Sequence, residues 1–226
     1  ILTYVISIVN SGPAPYTGLT MTDDLGAYTY GTGTLTPLTY VDGSLRYFVN
    51  GVLQATPTPT ADAPLTVPGI AVPAGGNALL IYETRVNSFA PLDTESTVTN
   101  TATLSGAGLT TPVQAASTVN ARAAAYLTIG KAVSPATVAE NGTLTYTFTI
   151  QNYGNTAAAE TDNVTVSDTF SPILKAISVT YNGAAWTEGT QYTYNAATGA
   201  FATTAGQITV PAASLTRDAA TGAVVV

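Results

Sequence analysis

The sequence predicts an all-β protein built as two tandem β-sandwich domains, each incomplete by an edge strand. Three observations predict it. Polar and apolar residues alternate with a period of two, as at Leu144, Tyr146, Phe148 and Ile150 against Thr143, Thr145, Thr147 and Thr149. No apolar pattern of helical period runs for a useful length anywhere. Part of the chain also occurs twice, because ILTYVISIVNSG at Ile1–Gly12 matches TLTYTFTIQNYG at Thr143–Gly154 position for position.

The duplication divides the chain into a first repeat at 1–121 and a second at 122–226. The first strand of repeat one ends at the Pro- and Gly-rich turn Ser11–Gly18. LTMTD at Leu19–Asp23 follows and aligns with VTVSD at Val164–Asp168. Asn50-Gly51 and Asn182-Gly183 each sit between short strands, and that dipeptide supplies the two left-handed residues of a type I′ hairpin turn. Residues 55–69, rich in Thr and Pro, read as an irregular connection. IAVP at Ile70–Pro73 corresponds to ITVP at Ile208–Pro211. ALLIYETRV within Gly76–Asn87 is a strong strand, and STVTNTATLS at Ser96–Ser105 closes the first repeat. Residues 112–120 extend it or lead into a linker.

Charged residues are only 8% of the chain, the net charge is −7 and hydrophobic residues make up 46%, enough apolar surface to build a core. Six basic residues make no footprint for nucleic acid. Apolar runs fall short of the ~20 residues that a membrane span requires. Cysteine and histidine are absent, which removes disulfides, thiolate metal sites and the usual general base. The aspartates show no calcium-loop spacing, so neither metal nor cofactor is expected. No nucleophile–base pattern of an enzyme occurs, and the chain reads as a non-enzyme.

Repeat two opens with a lysine-bearing strand, LTIGKAVS, that repeat one lacks, whereas repeat one ends in a closing strand that repeat two lacks. The chain therefore reads as a slice of a longer repeat protein with two unpaired edges. Each edge needs a strand, either from adjacent repeats of the same polypeptide or from another copy by strand addition. The candidate donors are the segment carrying Leu127, Ile129 and Val133, and the terminal segment carrying Val224 and Val226.

Lys131-Ala-Val-Ser-Pro135 with NGTLTYTFTIQNYGN, then NVTVSDTF, and STVTNTATLSG in repeat one together carry a resemblance. The chain resembles the conserved-repeat domain of unknown function (type 11) strung in tandem along bacterial and archaeal cell-surface proteins. The resemblance implies immunoglobulin-like sandwiches of seven or so strands. Related surface domains form an isopeptide bond in which a first-strand lysine attacks a last-strand asparagine amide beside a carboxyl. It implies Lys131 as the amine, Asp168 and the matching Asp23 as acids, and Asn100 as the amide. That chemistry requires a lysine kept neutral by apolar burial and a protonated acid that polarises the amide carbonyl. No complete trio lies within one repeat.

The expected function is a structural module of an extracellular fibre, stalk or surface layer on a prokaryotic cell, with copies of itself or adjacent repeats as partners. An adhesin whose loops bind a glycan or protein ligand is the alternative.

Overall fold

Alternating segments become strands throughout the computed structural model, which describes residues 1–226; the helical content is a single 3-10 turn at Glu160–Asp162. The chain divides into two compact units, one formed by Ile1–Arg122 with Leu215–Val226 and the other by Ala123–Ser214.

The first unit contains β1 (Leu2–Val9), β2 (Tyr16–Asp23), β3 (Tyr28–Tyr30), β4 (Gly33–Leu35), β5 (Leu38–Tyr40) and β6 (Arg46–Val49). It continues with β7 (Val52–Leu53), β8 (Ala61–Asp62), β9 (Leu65–Val72), β10 (Asn77–Val86), β11 (Thr97–Ser105) and β12 (Val113–Asn120). One antiparallel sheet runs β1-β10-β6-β7 with β5 also on β10, and the other runs β12-β11-β2-β9-β8. The inner faces of both sheets share one core, with Tyr47, Leu80 and Tyr82 from the first meeting Leu19, Met21, Val67 and Ile70 from the second. Such face-to-face packing of antiparallel sheets is the immunoglobulin-like sandwich architecture. Burying each large apolar side chain contributes about 1.5–3 kcal/mol.

The Asn50-Gly51 turn is as expected, with φ of 47° and 79°. Three elements depart from the sequence reading. Residues 55–69, which the Thr/Pro content marks as irregular, include most of β9, which continues through Pro68 and Gly69 because register shifts against β2 absorb both residues. The closing strand β11 is followed by β12, a hairpin partner paired with it at eight positions from Thr97↔Asn120 to Leu104↔Val113. The tail Leu215–Val226, placed by sequence in repeat two, belongs to the first unit. It is anchored there by the Tyr30 hydroxyl, which donates to the Leu215 carbonyl at 2.6 Å, and by Arg217 Nη2, which donates to the Tyr30 carbonyl at 3.2 Å.

The second unit contains β13 (Leu127–Ser134), β14 (Thr145–Asn152), β15 (Ser167–Thr169), β16 (Val179–Tyr181), β17 (Ala184–Trp186), β18 (Tyr192–Asn195) and β19 (Ala200–Thr203). The tail adds β20 (Thr216–Arg217) and β21 (Val224–Val225), which pair with each other. In the second unit β13 pairs β14, β15-β19-β18 form a small sheet, and β16–β17 stand as an isolated hairpin around Asn182-Gly183. Its core gathers Val166, Phe170, Tyr192, Phe201 and Ile208. Trp186 is half-buried, packed against the edge of that core and against Tyr181 at 5.0 Å between ring centres.

β14 matches β1, and the Asn-Gly hairpin β16–β17 matches β6–β7. In the first unit β10 stands between those elements and pairs with both. No strand of the second unit takes that place. The second unit thus lacks counterparts of both β10 and β11, one strand more than the repeat alignment suggests. In the first unit the sheets end at β1 and β7 and at β12 and β8; of these edges β1 is the one whose match in the second unit, β14, carries a further strand, β13.

Candidate functional site

In the first unit the chain turns sharply at Asp23-Asp24-Leu25-Gly26, where β2 ends. Leu25 and Gly26 both take left-handed conformations, φ 54° and 71°, and this aims their N–H groups back toward the strand end. Leu25 N–H donates to Asp23 Oδ1 at 2.8 Å. Gly26 N–H donates to Asn100 Oδ1 at 3.0 Å and to Asp24 Oδ1 at 2.9 Å. A side chain at Gly26 is sterically barred, since its Cβ would lie 2.4 Å from Val98 Cγ1.

Asn100, on β11, donates through Nδ2 to Asp23 Oδ2 at 2.9 Å, and the Tyr82 hydroxyl from β10 donates to the same oxygen. The orientation of the Asn100 amide follows from chemistry, because a backbone N–H only donates and must face the carbonyl oxygen. Asp23 and Tyr82 are fully buried and Asn100 nearly so. Burial pushes the Asp23 carboxyl above its ordinary value, although the hydrogen bonds from Tyr82, Leu25 and Asn100 work against the shift. Burial, then the adjacent Asp23 charge, pushes the Tyr82 phenol far up, so it stays a protonated donor. Tyr4 stacks on Tyr82 with ring centres 5.7 Å apart. Its hydroxyl is buried without a hydrogen-bond partner.

In the second unit Lys131 lies on β13 opposite Phe148. Its Nζ is 2.6 Å from Asp168 Oδ2 and lies over three rings, Tyr146 at 4.9 Å, Phe170 at 5.5 Å and Phe148 at 5.7 Å. The structure therefore joins Lys131 to Asp168 and, separately, Asn100 to Asp23. Two expectations need correction. Apolar burial of Lys131 is not found, since its side chain is 43% exposed and ion-paired; no β10 or β11 counterpart covers it. Nor does the acid face the amide carbonyl: Asp23 meets the amide nitrogen, and the Gly26 N–H meets the oxygen.

The proposed donor strands are occupied. Leu127, Ile129 and Val133 belong to β13, which pairs with β14 from Leu127↔Asn152 to Ser134↔Thr145 within its own unit. Val224 lies in β21, paired with β20, and Val226 follows it.

Sequence reasoning missed Asn10 and Asn152, although both stand in the repeated N-x-G. Each fastens its strand end to the loop beyond. Asn10 Nδ2 donates to Ala14 and Pro73 carbonyls at 2.8 and 2.9 Å, and Asn152 Nδ2 to Thr156 and Pro211 carbonyls at 2.7 and 3.0 Å. Their Oδ1 atoms accept from Gly12 and Gly154. The difference is informative: Asn152 Oδ1 also accepts from Tyr126 N–H, at 3.0 Å, on the way into β13. The opening segment runs so close to Gly154 that a Cβ there would lie 2.2 Å from the Ala124 oxygen. At Gly12 the only atom near such a Cβ is Asn10's own Oδ1, at 3.2 Å.

No protein-family model matches the chain, and no curated protein matches it. Among solved structures, it is similar to the pilus backbone RrgB from Streptococcus pneumoniae at 15% identity and a TM-score of 0.32. The match covers 46% of this chain and 23% of that one, so it spans about a quarter of the pilus protein.

Proposed function

We propose that the chain is a structural repeat module of an extracellular prokaryotic fibre, stalk or surface layer, in which each sandwich is completed by strands from adjacent polypeptide and locked by a lysine–asparagine amide. One observation carries the reading. The two units hold complementary halves of a single constellation at matching places, Lys131 with Asp168 and Asn100 with Asp23. The matching of β1 to β14 and of Asp23 to Asp168 means that a lysine strand laid along β1 brings an amine to Asp23 and Asn100.

The chemistry balances without an added reagent. The neutral lysine amine attacks Asn100 Cγ, the Nζ–Cγ bond forms, and negative charge on Oδ1 is met by the Gly26 N–H. The Cγ–Nδ2 bond then breaks. One amine proton passes by way of Asp23 to Nδ2, which departs as ammonia. The buried acid, held above its usual range, suits that transfer.

The test uses the full chain and a synthetic peptide with the sequence of Ala124–Pro135. Intact-mass measurement is expected to show an adduct at the peptide's mass less one ammonia, with fragmentation placing the bond between the peptide lysine and Asn100. Asn100→Ala removes the adduct. A wild-type chain that gains no covalent mass over days at neutral or mildly alkaline pH overturns the crosslink.

A further inference from the structure

The open margin of β1 offers more than a generic edge. It flanks an apolar groove of about 170 Å³ lined by Ile6, Ile8, Leu19, Met21, Leu104 and Val113. Asn10 Oδ1 lacks the second donor that Asn152 takes from Tyr126, and Gly12 keeps clear the space that the opening segment fills beside Gly154. Charge is complementary as well: a buried acid, Asp23, stands where the second unit pairs Asp168 with a lysine ammonium. Beside it the Tyr4 hydroxyl is more than nine-tenths buried, lies next to the Asn100 amide and makes no hydrogen bond of good geometry. A buried hydroxyl left unpaired is destabilising, so a ligand group that satisfies it is the physical expectation.

We propose that the first unit is a lysine-reading strand receptor: it takes an extended segment of the pattern apolar-x-apolar-x-Lys-x-apolar, antiparallel to β1, with the lysine opposite Ile6 and its head group held between Asp23 and the Tyr4 hydroxyl. This rests on the strand-completion reading above and specifies its ligand. The register is that of β13 on β14, where Ile129, Lys131 and Val133 face Ile150, Phe148 and Tyr146; the matching residues of β1 are Ile8, Ile6 and Tyr4. Directly opposite residues of an antiparallel pair point to the same face, so the lysine turns inward. Over Tyr4, one of its N–H groups reaches the acid and another the free phenol oxygen. Tyr4 is a positioning residue here: it receives the ammonium and does not itself react.

The test is a double-mutant cycle on binding, separate from bond formation. The Ala124–Pro135 peptide and its norleucine analogue at the lysine position are titrated into the Asn100→Ala chain and into Asn100→Ala/Tyr4→Phe. With Tyr4 present, lysine is expected to bind at least about tenfold tighter than norleucine; Tyr4→Phe is expected to remove about threefold or more of that preference. The melting temperature of Tyr4→Phe stays level or rises, since an unpaired buried hydroxyl is gone, and this separates recognition from a purely structural role. Should Asn100→Ala not fold, the cycle is run with Asn100 intact, by equilibrium titration if no bond forms or from the half-saturating peptide concentration if one does. Equal preference for lysine with and without the Tyr4 hydroxyl, or no preference at all, overturns the proposal. A lysine preference that depends on Tyr4, together with no covalent adduct on the wild-type chain, upholds it and sinks only the crosslink.

Discussion

Asp23→Ala is expected to destabilise the first unit by about 2–4 kcal/mol, whereas Asp168→Ala, at the aligned position, costs the second unit less than about 1 kcal/mol. The asymmetry follows from the partners. Removing the Asp23 carboxyl strands three buried donors at once, the Tyr82 hydroxyl, Asn100 Nδ2 and Leu25 N–H. Relief from burying an acid offsets part of that loss. Asp168, 17% exposed, faces a lysine that is 43% exposed, so solvent at the lysine offsets much of what the pair contributes. Chemical denaturation followed by Trp186 fluorescence for the second unit and by backbone NMR resonances of β1 and β10 for the first separates the two effects; equal losses would contradict the account of the buried cluster.

The same residue sets a pH dependence. Burial raises the folded Asp23 value above the unfolded one. Its stabilising contribution is therefore complete below about pH 4, the unfolded carboxylate value, and is lost as pH climbs through the raised folded value. Melts across that window are expected to show the first unit gaining stability toward mild acid, and Asp23→Asn should flatten the slope.

A second large effect concerns the second unit. In hydrogen exchange, amides of β16 and β17 are expected to exchange at least about a hundredfold faster than those of β10 in the first unit. β10 lies between β1 and β6, and its inward residues Ala78, Leu80 and Tyr82 are fully buried. β16–β17 is a hairpin with no third strand, and an isolated hairpin is marginal in water. Protection of β16–β17 equal to that of β10 would show that the second unit needs no further strand.

What the sequence made legible was local and repetitive. Alternation at β1 and β14, the Asn-Gly turns and the aligned aspartates all report one segment's own geometry, and all appear in the structure. Asn100 could be singled out, but its burial could not, because the alternation of β11 does not reveal which face meets the other sheet at that height. Tyr82 escaped because its place beside Asp23 arises from packing between sheets, across a long sequence separation. β9 was hidden by Pro68 and Gly69, residues that ordinarily end a strand and here are accommodated by register shifts. β12 mixes small apolar and polar residues, nearly all exposed, and has no alternation to read. The missing β10 counterpart became clear only once β16–β17 was seen to stand alone.

The central claim is that the outer edge of β1 is a receptor for a strand, and amide exchange along β1 tests it most directly. With the Ala124–Pro135 peptide added to the full chain, the β1 amides directed away from β10 are predicted to slow by at least about tenfold while exchange in β6 and β7 is unchanged. Exchange at β1 that stays the same under saturating peptide would mean that this edge accepts no strand.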